Sequence, residues 1–312
     1  MLELLAAFFV KPFVTMAGSP LFFVQVVLGG IMAGVMYALV ALGFVLIFKA
    51  SGVFNFAQGF MVLFAALTLV GLMERGISVW LALPATVATM VAVAYAVERL
   101  VLRPLVNQPQ LTLVMATIGL AYVLQGGGEL VWGANARPLD LGIPSGTFEV
   151  RGILLSQLDL VAAGTAGVLV AVLALFFHGT RVGRALRAVA DDHQAALSIG
   201  IPLKTIWVIV WAVSGVVGLV AGIMWGTQSG VQFSLSLIAF KALPVLILGG
   251  LTSIPGAIVG GLIIGVGEKI GEVYWGPALG GAIENWFAYV LAMVFLFFRP
   301  EGLFGEEIIE RV

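Results

Sequence analysis

Long apolar runs recur along almost the whole chain, and each is close to the length of a helix that crosses a lipid bilayer. Such a helix needs about 20 consecutive apolar residues. The runs lie at about 21–48, 57–73, 78–97, 110–125, 158–178, 205–226 and 282–298. Charged residues make up only 10% of the sequence, whereas a soluble domain carries about 25%. The sequence therefore predicts an all-α polytopic membrane protein with about seven or eight transmembrane helices.

The segment 237–267 departs from this pattern because prolines interrupt it and glycines crowd its middle. Backbone groups freed by a broken helix are tolerated at membrane depth only where protein or water receives them. We expect two half-helices that meet near the centre of the segment and return to the outer side. The alternative is an ordinary helix loosened for close packing. The residues assigned a structural role here are Gly249, Gly250, Pro255 and Gly256.

The apolar stretch 1–19 is interrupted by Lys11 and Pro12. We expect it to form an interfacial helix, with an extra spanning segment as the alternative. Residues 20–306 are predicted to form a single transmembrane domain, followed by a short cytoplasmic tail at 307–312. The long external loop 133–157 is expected to be hairpin-like or irregular.

Lysine and arginine are divided unequally between the two sides of this layout. One side holds Lys49, Arg99, Arg103, Arg181, Arg184, Arg187, Lys204, Arg299 and Arg311. The other holds Arg75, Arg137, Arg151 and Lys269. Cytoplasmic loops of membrane proteins carry the excess of Lys and Arg, so the first side, which includes the C-terminus, is predicted to be cytoplasmic.

A charged segment at 183–201 lies between two apolar runs on that side. In a helix, Leu186, Val189, Ala196 and Leu197 fall on one face, and Arg187, Asp191, Gln194 and Ser198 fall on the opposite face. The segment is therefore predicted to be an amphipathic helix that offers a cytoplasmic docking surface. The alternative is a solvated loop helix without a partner.

Catalytic and metal-binding motifs are absent from the sequence. It has no cysteine and only two histidines, and it contains no phosphate-binding P-loop motif. A net charge of −1 argues against a nucleic-acid surface. The charged residues of the C-terminal third fall near segment ends, so no buried proton relay is expected. This pattern predicts a protein that is not an enzyme, binds no cofactor or metal, and receives its energy from a partner.

Four neutral polar residues enter the apolar runs and are candidates for lining a solute pathway: Asn55, Gln58, Thr117 and Gln228. Such groups can line a path through which a zwitterionic or neutral solute passes with only weak binding. The alternative is that they bond backbone carbonyls across helix contacts.

Six stretches in order along the chain carry a family resemblance. They are GVMYALVALG (34–43), NFAQG (55–59), ERLVLRPL (98–105), the charged segment from Arg187 to Ile201, the glycine-rich segment 241–265, and the ending RPEGLFG (299–305). In these stretches the chain resembles the shorter membrane permease of branched-chain amino acid ABC transporters. The resemblance covers about residues 21 to 306.

The resemblance implies a bacterial or archaeal inner-membrane importer that works by alternating access. Its partners would be a second related permease, two cytoplasmic ATPases and a periplasmic or extracellular binding protein. The solute would be a branched-chain or related hydrophobic amino acid, with urea, a short amide or an aromatic acid as alternatives. A self-sufficient channel or secondary transporter is the rival from another class, and an intramembrane enzyme or structural scaffold is a further one.

The resemblance also assigns the segment 183–201 as the coupling helix. Arg184, Arg187, Asp191 and Asp192 would contact the ATPase, and Ala188, Ala195 and Ala196 would allow close seating. Gly200 would cap the C-terminal end of the helix.

Overall fold

The computed structural model describes residues 8–105, 108–144, 146–191 and 193–305, and over these ranges the fold is predominantly helical. The helices are α1 (Lys11–Gly18), α2 (Pro20–Ser51), α3 (Gln58–Glu74), α4 (Val79–Val97), α5 (Gln110–Trp132), α6 (Gln157–Gly179), α7 (Arg181–Asp191), α8 (His193–Ser198), α9 (Leu203–Ser229), α10 (Ile238–Gly249), α11 (Ile254–Tyr274), α12 (Gly276–Leu279) and α13 (Glu284–Phe298). A π-helical turn, Glu98–Leu102, continues α4, and a 3₁₀ turn, Phe233–Leu237, precedes α10.

Within the described residues, six helices are long and apolar enough to cross a membrane: α2, α4 with its π-helical turn, α5, α6, α9 and α11. Shorter apolar helices are α3, the 3₁₀ turn together with α10, and α13. The prediction of an all-α polytopic membrane protein is therefore confirmed. Every apolar run assigned from the sequence contains a helix, and most bounds agree within three residues.

Helix α5 is the largest departure among the predicted spans, because it ends at Trp132 rather than near residue 125. The predicted span stops directly before the three glycines at 126–128. In the continued helix Gly128 packs against α3, where a Cβ would lie 3.2 Å from Leu67 Cδ1. The Gln125 amide also donates a hydrogen bond to Glu129 across the triplet, at 3.1 Å.

The glycine-rich segment is broken at the predicted place but not into two half-helices. Helix α10 ends at Gly249 and α11 begins at Ile254. Helix α11 then runs for 21 residues, seven past the predicted end at 267. The second piece is therefore long enough to span, and only α10 has the length of a half-helix.

A β-hairpin occupies the later part of the predicted external loop. Strand β1 (Thr147–Val150) pairs antiparallel with β2 (Ile153–Ser156), with Val150 opposite Ile153. Arg151 and Gly152 form the two-residue turn, and both have positive φ, as the tightest hairpin turns require.

The chain divides into two compact units. One comprises residues up to Ala38, Ile143–Gly167, and the chain from Lys241 onward; the hairpin, α11 and α13 belong to it. The other comprises Leu39–Gly142 and Val168–Phe240. In this second unit α9 packs against both α3 and α4, and α3 packs against α5.

Glycines on two helices of the first unit allow α2 and α11 to approach closely. Gly30 and Gly34 are one turn apart on α2, as Gly261 and Gly265 are on α11. A Cβ at Gly30 would lie 2.6 Å from Val266 Cα, and one at Gly34 would lie 2.6 Å from the Gly261 carbonyl oxygen. Membrane helices use small residues in this way, since the gain comes from backbone packing rather than from the hydrophobic effect.

Candidate functional site

The predicted coupling segment is helical on both sides of Asp192, which lies outside the described residues. Helix α7 begins at Arg181, two residues before the predicted start, and α8 ends at Ser198. Leu186, Val189 and Ala196 are buried, and both helices pack against α9. The apolar face therefore seats the pair on a long membrane helix of the same unit.

The tight connection from α6 into α7 depends on Thr180 and Gly183. The Thr180 hydroxyl accepts a hydrogen bond from the Gly183 N–H at 3.1 Å, which is the geometry of a helix N-cap. The same hydroxyl donates to the carbonyl of Phe176 at 2.6 Å. A Cβ at Gly183 would overlap the Phe177 carbonyl. Glycine is therefore required where α7 turns back against the end of α6.

Arg187 secures the same connection. Its Nη1 donates to the carbonyl oxygen of Phe177 at 2.7 Å, and its Nη2 to that of His178 at 3.5 Å. These carbonyls belong to the last turn of α6, where no intrahelical donor remains, and a cation there also complements the helix dipole. The geometry thus favours a positioning role for Arg187 over the predicted ATPase contact. Arg184 is exposed, as that prediction requires.

Gly200 ends α8 in the way that the sequence predicted. Its φ is +84°, a left-handed conformation that glycine adopts without strain. Its N–H donates to the Leu197 carbonyl at 3.0 Å, and the Ile201 N–H donates to the Ala196 carbonyl at 3.0 Å. This pair of bonds is a Schellman motif.

Two aliphatic side chains at the C-terminal end of α8 are exposed. Leu197 is 53% exposed and Ile199 is 73% exposed. The prediction that Leu197 lies on the buried face was wrong, because its side chain is exposed while that of the neighbouring Ala196 takes the buried position. Ala195 is also exposed, and Ala188 is half-buried. The side chain of Asp191 lies outside the described part of the chain.

A buried polar cluster in the second unit joins the loop before α3 to α2 and α9. Asn55 and Gln58 are fully buried. The Asn55 Nδ2 donates to Gln58 Oε1 at 3.3 Å, and the Ser214 hydroxyl donates to the same oxygen at 2.7 Å. Ser214 Oγ also lies 3.2 Å from the Gly43 carbonyl oxygen.

The backbone fixes the orientation of both amides in this cluster. The Ala57 N–H donates to Asn55 Oδ1 at 3.0 Å, so Nδ2 of Asn55 must face Gln58. Gln58 then presents Oε1 to Asn55 and turns Nε2 towards Gly43, where a Cβ would overlap the amide. This buried Nε2 has no hydrogen-bond partner within the described ranges. A residue larger than glycine at position 43 would displace the Gln58 amide.

Thr117 lies beside this cluster, and Gln228 does not. Thr117 Oγ1 is 2.9 Å from the Val114 carbonyl oxygen and 3.2 Å from that of Phe54, and it accepts the Phe56 N–H at 3.3 Å. Gln228 is exposed near the C-terminal end of α9. The contacts of Asn55, Gln58 and Thr117 match the alternative stated above, in which polar groups bond across helix contacts. The pathway role of all four residues stays a prediction.

An ion pair with a buried carboxylate lies in the first unit, in a part of the chain where the sequence predicted no buried proton relay. Lys241 Nζ is 3.0 Å from Glu268 Oε1, and the Tyr37 hydroxyl donates to the same oxygen at 2.8 Å. Lys241 Nζ also donates to the Glu284 carbonyl at 3.1 Å. The Glu268 side chain is only 1% exposed. Glu268 lies in the last two turns of α11, which ends at Tyr274, and the sequence did not indicate that its side chain would be buried.

The glycine-rich turn brings α10 and α11 into backbone contact. A Cβ at Gly249 would overlap the carbonyl of Gly256, and a Cβ at Gly256 would overlap that of Gly249. Ser253 caps α11, since its hydroxyl accepts the Gly256 N–H at 3.0 Å. Pro255 occupies the first turn, where the absence of an N–H costs nothing. The structural roles predicted for these residues are thus visible in the fold.

The stretch 299–305, which is the last of those that carry the family resemblance, bonds to the residues just before this turn. The Leu303 N–H donates to the Leu248 carbonyl at 2.8 Å, and the Phe304 N–H donates to the Gly249 carbonyl at 3.2 Å. Gly250 has a φ of +101°, and a Cβ there would lie 3.0 Å from the Gly305 nitrogen. The ending therefore supplies donors for the last carbonyls of α10.

Comparison with known proteins identifies the family. Residues 26–299 match the family described as branched-chain amino acid transport system / permease component. The chain belongs to this family.

Relatives from two bacteria and an archaeon cover nearly all of the chain. It is 28% identical over 305 residues to the high-affinity branched-chain amino acid transport system permease protein BraD of Pseudomonas aeruginosa, covering 93% of this chain and 98% of that protein. It is 28% identical over 311 residues to the corresponding permease protein LivH of Escherichia coli K12, covering 94% and 98%. A probable LivH of Methanocaldococcus jannaschii is 28% identical over 297 residues, covering 89% and 91%.

The sequence-based assignment to the branched-chain permease family is therefore confirmed, and the chain is a multi-pass transport permease component. The structure shows two features of this permease that sequence reasoning missed. One is the exposed pair Leu197 and Ile199; two aliphatic residues beside the cap glycine of a polar helix were its only signal. The other is the pair Lys241–Glu268, whose members are 27 residues apart. No groups of histidine, aspartate or glutamate suited to a metal ion occur in the described part of the chain.

Proposed function

We propose that this permease is the membrane-spanning subunit of an ABC importer for branched-chain or related hydrophobic amino acids. The observation that carries the proposal is the family match over residues 26–299. The named relatives in two bacteria and an archaeon are described as branched-chain amino acid transport permeases. Identity of about 28% leaves the solute open to change, so urea, short amides and aromatic acids are the alternatives to test.

Energy would come from two cytoplasmic ATPases, because the sequence has no phosphate-binding motif of its own. The surface proposed for docking is the exposed side of α7 and α8, with Arg184 as a charged contact and Leu197 and Ile199 as apolar ones. Apolar surface rimmed by polar residues marks protein interfaces when the apolar side chains are contiguous, and Leu197 and Ile199 are only two residues apart. A second permease and an external binding protein would complete the importer, with the C-terminus in the cytoplasm.

Motion at this surface would reach the membrane helices by two routes. Leu186, Val189 and Ala196 seat the helix pair on α9. Arg187 bonds α7 to the end of α6 at the Phe177 carbonyl. A push on α8 by closing ATPases would therefore move α6 and α9 together, which is the rocking that alternating access requires.

The proposed function predicts ATP-dependent uptake by the assembled complex. The tagged chain would be purified from its native membrane with its partners, which mass spectrometry would identify, and reconstituted into liposomes with the binding protein and internal ATP. We expect leucine, isoleucine or valine uptake that unlabelled leucine blocks and urea or benzoate does not. Uptake by the chain alone, without ATPase or ATP, would show a channel or secondary carrier instead.

Gly200→Val is expected to uncouple ATP hydrolysis from uptake. A β-branched residue is strained at a φ of +84°, so the cap should unwind and the tip of α8 should shift. We expect ATPase activity of the complex to persist while leucine uptake falls at least about tenfold, equivalent to a change of about 1.4 kcal/mol.

Gly200→Asn is the matched control, since asparagine tolerates the left-handed conformation. It should retain most of the coupled uptake. Both complexes should be intact by size-exclusion chromatography. If Gly200→Val and Gly200→Asn then take up the same amount of leucine per ATP hydrolysed, the segment 183–201 is not the coupling helix. That result would not contradict the transport function itself.

A further inference from the structure

An open apolar groove of about 550 Å³ lies between α4 with its π-helical turn and α5. We call it the α4–α5 groove; its walls are Val93, Ala96, Leu100 and Pro104 on one side, and Ala116, Gly119 and Val123 on the other, with Leu124 beside them. None of the lining residues has a polar side chain. Water cannot be held there by hydrogen bonds, so the occupant of this groove must be apolar.

The shape of the α4–α5 groove suits a narrow flexible chain. Its walls include the small residues Ala96, Ala116 and Gly119, and nothing lies within 4 Å of a Cβ built at Gly119. Leu100 is 72% exposed and Val123 is 69% exposed. These two exposed side chains and the small residues between them make the surface uneven, and a flexible acyl chain follows such a surface more readily than the broad face of a helix does.

Two arginines lie next to lining residues of the α4–α5 groove, at the C-terminal end of α4 and its π-helical turn. Arg99 directly precedes the lining residue Leu100, Arg103 directly precedes the lining residue Pro104, and both arginines are exposed. Arg99 Nη1 donates to the Tyr95 hydroxyl at 3.0 Å, which leaves its other donors for a ligand. The acidic group nearby is Glu98, whose carboxylate is buried and lies 4.0 Å from Arg103 Nε. Together, the two arginines and the Glu98 carboxylate carry one net positive charge.

We propose that the α4–α5 groove binds one acyl chain of an anionic phospholipid, with the lipid phosphate held by Arg99 and Arg103. The distribution of Lys and Arg places this end on the cytoplasmic side. Basic pockets between membrane helices on that side select anionic head groups. The site needs only the membrane location of the chain and is independent of which solute is carried.

The test is native mass spectrometry of the purified membrane complex, delipidated and then titrated with phosphatidylglycerol or phosphatidylcholine of matched acyl chains. We expect one phosphatidylglycerol per copy of this chain to survive activation, with phosphatidylcholine retained at least about tenfold less. Gly119→Leu fills the groove and should abolish this retention. Arg99→Gln with Arg103→Gln should reduce the preference for phosphatidylglycerol over phosphatidylcholine at least about tenfold.

Gly126→Leu is the matched control, because it lies on the same helix outside the groove and its Cβ also has nothing within 4 Å. It should retain the lipid as the unsubstituted chain does. Equal retention in Gly119→Leu and Gly126→Leu would overturn the proposal, as would unchanged head-group preference in the double arginine variant. Loss of the second permease from the complex in Gly119→Leu alone would show that the groove is a subunit contact instead.

Discussion

Lys241→Met is expected to destabilise the permease by about 3–5 kcal/mol, which is the usual cost of leaving one partner of a buried ion pair charged and unpaired. Glu268 would keep only the Tyr37 hydroxyl on Oε1, while its Oε2 already has no hydrogen-bond partner among the described residues. The Glu268 side chain is only 1% exposed and that of Lys241 20%, so water replaces the lost ammonium group poorly. The melting temperature of the detergent-purified complex, followed by size-exclusion chromatography, measures this loss.

Two further variants separate the ion pair from simple packing. Tyr37→Phe removes one hydrogen bond and should cost about 1 kcal/mol. Lys241→Met combined with Glu268→Met removes both charges and should recover much of the loss, because uncharged side chains of similar size often replace a buried pair at little cost. Lys241→Met and Glu268→Met would also be measured separately. A double variant whose loss of stability equals the sum of these two losses would show that the ion pair is not the stabilising contact.

The same cluster offers a test of the rival secondary-transport mechanism. Intramembrane ionisable residues often carry protons in carriers, but here Lys241 Nζ at 3.0 Å already compensates the charge of Glu268. In an ATP-driven permease, Glu268→Gln should lower stability and leave the pH dependence of uptake unchanged. A folded Glu268→Gln complex that loses a pH-dependent component of uptake would support proton coupling.

The membrane helices could be located from the sequence because each apolar run is a local property of the chain. The ends of helices were harder to place where glycines interrupt an apolar run. One glycine can end its helix, whereas another lies inside a helix and packs against a neighbouring one. Gly200 does the first and Gly128 the second. Only the position of the adjoining helix distinguishes the two cases, and periodicity does not contain that information.

The roles of side chains were harder to predict than the positions of helices, because these roles also depend on which helices adjoin. Helical periodicity placed Arg187 on the polar face, but it could not show that the guanidinium folds back onto the Phe177 carbonyl. The motif NFAQG was recognised as a family feature, whereas its contact with Ser214 spans 156 residues of sequence. The pairing of Tyr37 with Glu268 spans 231 residues. Such contacts follow from tertiary packing alone.

Gly30→Ala is expected to destabilise the permease by about 1–3 kcal/mol, the range for forcing an extra methyl group into a packed contact. The new Cβ would lie 2.6 Å from Val266 Cα and 2.9 Å from the Gly265 carbonyl oxygen. Both are backbone atoms, so no side chain can rotate away, and α2 and α11 would have to separate. Because Glu268 lies on α11 and Tyr37 on α2, the separation should also loosen their hydrogen bond.

Gly29→Ala is the matched control on the neighbouring residue of the same helix. Nothing lies within 4 Å of a Cβ built at Gly29, so only the higher helix propensity of alanine acts, and it should stabilise α2 by up to about 1 kcal/mol. The two melting temperatures should therefore move in opposite directions. Shifts of the same sign and size would mean that helix propensity rather than the backbone contact between α2 and α11 decides the stability of this permease.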